Sequence, residues 1–142
     1  MIYTTNTKLA LKICFELHKD QMDKGNSPFV FHPFHLAEQM PDEDSCVVAL
    51  LHDVIEDTAC TLEDLKNFGF NSRVIKAIEL ITYKKGTDYF AYISSIKTNF
   101  LATLVKVADL QHNMDASRLD QVTLKDEKRI EKYKQALQLL YS

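Results

Sequence analysis

The chain has 142 residues, of which 46% are hydrophobic and 26% charged, as in a globular protein long enough to bury a proper core. Its net charge of −3 excludes broad attraction to nucleic acid, so any phosphate must be recognised locally. No apolar stretch approaches the ~18–20 residues that span a bilayer, and Met1-Ile2-Tyr3-Thr4-Thr5-Asn6 has neither the basic start nor the apolar block of a secretory signal.

Cys14, Cys46 and Cys60 show no metal-ligand spacing and read as reduced, mostly buried thiols of a cytoplasmic protein. With three glycines, three prolines and no sustained alternating pattern, the composition predicts an all-α fold. No repeat, linker or low-complexity segment divides the chain, so residues 1–142 are expected to form one helical domain.

Asn6 or Thr7 is a candidate cap for a first helix running to about Lys24, with Leu9, Ile13, Leu17 and Met22 facing inward. Gly25-Asn26-Ser27-Pro28 breaks it. Phe29-Val30-Phe31 is a short apolar connector, β-like but too short to pair, and His32-Pro33 starts a second helix. Pro41-Asp42 opens a third with the apolar run Cys46-Val47-Val48-Ala49-Leu50-Leu51, followed by His52-Asp53-Val54-Ile55-Glu56-Asp57-Thr58. Thr61-Leu62-Glu63-Asp64 begins a helix that Gly69 stops, and Asn71 or Ser72 begins the next, through Val74, Ile75, Ile78 and Ile81. Lys84-Lys85-Gly86-Thr87 is a loop. Helical stretches follow over Tyr89–Ile96, Leu101–Met114 and about Lys125–Tyr141.

Packing does not ask for an imidazole and three carboxylates after an apolar run. Unpaired buried charge is costly, so such groups are normally paired, protonated or bound to metal. A continuous helix would set His52, Asp53, Glu56 and Asp57 on one face. Asp109 interrupts a second apolar run, Leu104–Leu110, with Asn113 one turn later, and His32 and His35 flank Pro33-Phe34. His32, His52, Asp53 and Asp109 would form a mixed nitrogen and oxygen site suited to Mn²⁺, Fe²⁺, Co²⁺ or Zn²⁺. The competing reading is a buried polar network, with His52 bonded to a backbone carbonyl and Asp53 capping a helix or pairing with a lysine. His35 reads as a packing residue, and His18 and His112 as structural or exposed.

Four motifs together resemble the HD-domain metal-dependent phosphohydrolases, within them the (p)ppGpp hydrolase domain of the RelA/SpoT group. They are Asp23-Lys24-Gly25 through Pro28-Phe29-Val30-Phe31-His32-Pro33, then His52 to Thr58, then Val105-Lys106-Val107-Ala108-Asp109-Leu110-Gln111-His112-Asn113-Met114, and Ser117-Arg118-Leu119. The resemblance implies an HD-type helical bundle with His32, His52, Asp53 and Asp109 as metal ligands, usually of Mn²⁺, although another divalent transition metal is an alternative. It implies Glu56 and Asp57 as the catalytic, water-activating pair. Lys24 and Asn113 map to substrate contacts, with Tyr89, Lys106 and Arg118 as further substrate-binding candidates. The implied reaction is release of the 3′-pyrophosphate of guanosine 3′,5′-bis(diphosphate). Asp23 stands where those hydrolases usually carry an arginine, so the alternatives are another phosphorylated nucleotide such as NADPH, or a non-catalytic nucleotide-binding module. The expected partner is a small phosphorylated nucleotide, not nucleic acid or membrane.

Overall fold

The computed structural model describes residues 1–142 and contains nine α-helices, one 3₁₀ turn and no strand. The helices are α1 (Thr5–His18), α2 (Phe31–Glu38), α3 (Glu43–Leu51), α4 (Val54–Asp57), α5 (Leu62–Asn67), α6 (Ser72–Ile81), α7 (Tyr89–Lys97), α8 (Phe100–Asn113) and α9 (Leu124–Tyr141), with the 3₁₀ turn at Ala116–Arg118. The all-α expectation holds.

The apolar run Cys46–Leu51 explains the architecture. Each of its residues is at most 1% exposed, so α3 is buried on every side rather than along one stripe. It meets that demand by packing against α1, α2, α6 and α8, while α9 lies across α7 and α8. The amphipathic face read from sequence for α6 does close on this core, with Val74, Ile75, Ile78 and Ile81 buried, and Ala136 and Leu140 bring α9 onto it. No helix is long and apolar enough to cross a membrane.

Three local expectations are corrected. The first helix ends at His18, and Met22 is 61% exposed, held outward by an isolated bridge between Met22 and Pro28. The cap of that helix is Thr4, not Asn6 or Thr7: its side chain accepts the Thr7 N–H. The α3 helix also stops at Leu51, so His52 and Asp53 sit in a turn before the short α4 and do not share one continuous helix face with Glu56 and Asp57.

Helix starts divide into two kinds. Seven are closed by a side-chain cap, from Thr4, Asp42, Thr61, Asn71, Asp88, Asn99 and Thr123. The starts of α2 and α4 have no side-chain cap, although Asp53 occupies the capping position of α4. These two starts carry His32 and Asp53.

The segment between α1 and α2 is a folded turn. The Asp23 carboxylate accepts the N–H groups of Gly25 and Ser27, each at 2.9 Å, and Asn26 takes a left-handed φ of 62°. Arg118 donates to the other Asp23 oxygen at 3.2 Å, and Asn26 Nδ2 donates to Asp120 at 2.7 Å. These contacts bring the backbones so close that a Cβ on Gly25 would lie 1.8 Å from the Arg118 carbonyl oxygen. Gly25→Ala is therefore expected to cost about 1–3 kcal/mol through overpacking, read as a lower urea midpoint; an unchanged midpoint would mean that the two segments separate freely.

Candidate metal and phosphate site

Three buried side chains converge from three elements: His32 from the first turn of α2, His52 from the end of α3 and Asp109 from α8. A ligating atom from each lies within 4.8 Å of the others. His32 Nε2 is 2.9 Å and His52 Nε2 3.5 Å from Asp109 Oδ1, and Asp53 Oδ2 lies 3.0 Å from His52 Nε2. The Asp109 carboxylate also accepts from Lys106 Nζ and Asn113 Nδ2, each at 2.9 Å. Burial opposes its charge, but Lys106, His32 and His52 hold it well below the ordinary carboxylate range.

The donor set can be tested against a metal on His52 alone. Its Nδ1 is 2.7 Å from the Ala49 carbonyl oxygen, which can only accept, so Nδ1 carries the hydrogen. The neutral ring then turns a lone pair on Nε2 toward two carboxylates. That buried atom makes no hydrogen bond. Only a cation fits between a lone pair and two anions: a proton or a metal ion. Burial works against a charged His52, but Asp53 and Asp109 outweigh it and raise its pKa well above the ordinary value. The set of two imidazoles and carboxylates fits a divalent metal ion. Part of the competing network reading is present too, in the His52 bond to Ala49, but Asp53 neither caps α4 nor pairs with a lysine.

Asp53, Glu56 and Asp57 form a second group of acids beside this cluster. Glu56 Oε1 accepts the backbone N–H of Tyr83 at 2.8 Å, which ties α4 to the loop after α6. Desolvation raises the Glu56 carboxyl, with Asp53 and Asp57 reinforcing and the Tyr83 N–H opposing. Desolvation and then Asp53 raise Asp57.

Both groups open into a cavity of about 570 Å³. All eleven residues singled out in the sequence line it: His32, His52, Asp53, Asp109, Glu56, Asp57, Lys24, Asn113, Tyr89, Lys106 and Arg118. Lys106 and Arg118 are committed to ion pairs, with Asp109 and Asp23 respectively. Tyr89 presents a buried hydroxyl without a partner.

Sequence reasoning missed a contribution from α9. Arg129, Lys132 and Tyr133 line the same cavity, with Lys132 Nζ 4.5 Å from the Tyr89 ring centroid. Desolvation lowers the Lys24 pKa, and Arg129, Lys125 and Lys132 lower it further, so several cations share one wall. In sequence these residues look like the solvated stripe of an amphipathic helix. Their spacing, Arg129, Lys132 and Tyr133 at i, i+3 and i+4, was the available signal.

No family model matches the chain. Among curated proteins it is similar to a GTP pyrophosphokinase of Myxococcus xanthus, 32% identical over 117 residues, which is 70% of this chain and 15% of that protein. A guanosine-3′,5′-bis(diphosphate) 3′-pyrophosphohydrolase of Aquifex aeolicus is 38% identical over 77 residues, 51% of this chain and 11% of that protein. The bifunctional (p)ppGpp synthase/hydrolase SpoT of Escherichia coli is 28% identical over 120 residues, 74% of this chain and 17% of that protein. The chain thus spans less than a fifth of these relatives. A solved metazoan ortholog of SpoT, described as hydrolysing ppGpp, shares the fold with a TM-score of 0.77 and 22% identity, over 99% of this chain and 88% of that one.

Because a metal must displace the proton that His52 otherwise holds, and that proton is held well above the ordinary imidazole range, divalent-metal affinity is expected to rise with pH through neutrality and to go on rising above it. Calorimetric titration in buffers of different ionisation heat checks this through proton release; a flat profile without release would contradict the assignment of His52.

Proposed function

We propose that this chain, an HD-domain (p)ppGpp hydrolase-like protein, removes the 3′-pyrophosphate of guanosine 3′,5′-bis(diphosphate) with the help of Mn²⁺. The observation that carries the reading is the His52 Nε2 lone pair, buried against two carboxylates in a cavity that also holds an acidic pair and a cationic wall. A non-catalytic nucleotide sensor would need the cationic wall but not Glu56 and Asp57.

Within this reading His32, His52, Asp53 and Asp109 hold the metal. The ion supplies Lewis-acid polarisation of a phosphoryl oxygen and makes water more acidic. Glu56, fixed by the Tyr83 N–H, accepts the proton of the attacking water, and burial, by raising its pKa, makes it a stronger base for that exchange. Asp57 orients the same water. Attack at the phosphorus bonded to the 3′-oxygen breaks that P–O bond, giving pyrophosphate and GDP once the ribose oxygen is protonated. Lys24 and Lys132 neutralise phosphate charge, Arg129 being held by Asp126, while Asn113, already bonded to Asp109, would contact the ribose.

One observation favours a second substrate. Asp23 neutralises Arg118, so the wall offers fewer free cations than the lining residues suggest. A nucleotide with less phosphate, such as NADPH, then competes as the substrate.

Product analysis with added Mn²⁺ distinguishes these outcomes. Pyrophosphate and GDP are expected from ppGpp, and Asp53→Ala should lose metal and turnover together. Glu56→Gln should keep the metal and lose about 10²–10⁴-fold in kcat. Phosphate release from NADPH alone would move the assignment to the second substrate, and full activity of Glu56→Gln would remove it from the catalytic role.

A further inference from the structure

His112 belongs to α8 but does not line the cavity, and nothing in the reaction above uses it. Its Nδ1 lies 2.8 Å from Nδ1 of His32. The two rings are parallel to within 3°, with centroids 5.0 Å apart. That separation exceeds the nitrogen contact only by the two ring radii, so the rings meet edge to edge along an N–H···N hydrogen bond. A single hydrogen fits between them.

Where that hydrogen sits decides what His32 can do. On His32 Nδ1, it leaves a lone pair on His32 Nε2, which points into the cluster 2.9 Å from Asp109 Oδ1. On His112 Nδ1, it forces the His32 hydrogen onto Nε2, which then donates to Asp109 and cannot ligate. Asp109 does not need that donor, because Lys106 and Asn113 already supply its two oxygens.

His112 is itself held firmly. Its carbonyl accepts from Arg118 Nη1 at 2.9 Å, and His35 covers its ring at a centroid distance of 4.1 Å.

We propose that His112 is a positioning residue that accepts the Nδ1 hydrogen of His32 and so keeps His32 in the metal-binding tautomer. The inference rests on reading His32 as a ligand. It gives His35 a role as well: a packing plate behind His112 rather than a metal ligand. The partner of a metal-bound histidine commonly sets its orientation and basicity, and losing it costs about 10–100-fold in metal affinity.

The test is calorimetric titration of the full chain with Zn²⁺, a diamagnetic probe, comparing wild type, His112→Phe and His112→Asn. Phenylalanine keeps a ring against His35 but removes the acceptor, and should weaken binding by about 10–100-fold. Asparagine returns a carbonyl oxygen near the position of Nδ1 and should recover most of that loss. In the Zn²⁺-loaded wild type, ¹⁵N spectra should show His32 protonated at Nδ1. Equal affinity of the phenylalanine variant and wild type, or a hydrogen on His112 Nδ1 in the loaded protein, would overturn the role of His112. Failure of the wild type to bind either Zn²⁺ or Mn²⁺ would instead overturn the metal-site reading beneath it. Should His112→Phe not fold, the asparagine variant and the wild-type spectra decide the question.

Discussion

A carboxylate buried on the inner face of a helix is the constraint around which this molecule is organised. Asp109 is 4% exposed, and an ion so placed is tolerable only with partners in close geometry. Lys106 and Asn113 come from its own helix, one turn away on either side, and His32 and His52 come from two others. The apolar α3 is the means of assembly. It sits between the helices that carry the remaining groups, and its end delivers His52.

Local stability yields to that assembly where the two compete. An aspartate at a helix start normally accepts backbone N–H groups, contributing about 1 kcal/mol. Asp42 and Asp88 do so, but Asp53 turns to His52 instead. The α2 start, which bears His32, also lacks a side-chain cap. Elsewhere the chain caps its helices thoroughly, so the exceptions mark the positions where geometry toward the cluster outweighs the helix end.

Much of this was legible in the sequence because it is written in short-range patterns. The periodic apolar face of α6, the stop at Gly69 and the absence of strands all follow from local propensity and spacing. The polar residues stranded in apolar runs, His52 and Asp109, pointed to the cluster for the same reason: nothing local explained them. What escaped detection depends on tertiary placement. Met22 continued the helical period of α1, yet that helix stops four residues earlier and its residue pairs with Pro28. Arg129 and Lys132 face a cavity only because α9 folds back across α7 and α8. The edge-to-edge meeting of His32 with His112 joins residues eighty positions apart, which no periodicity encodes.

The α3 helix acts as a ruler. Its start is pinned by the Asp42 cap and its end by His52, and every residue from Ser45 to Leu51 is buried. Each residue in an α-helix advances about 1.5 Å and turns about 100°. One residue gained or lost between Asp42 and His52 would therefore swing the imidazole away from the cluster, whatever its chemical identity. The exposed loop at Lys84–Thr87 carries no such burial along its length. Among descendants of this chain, length changes would accumulate in that loop, while the count of residues from Asp42 to His52 would stay invariant even as the apolar residues within it exchange.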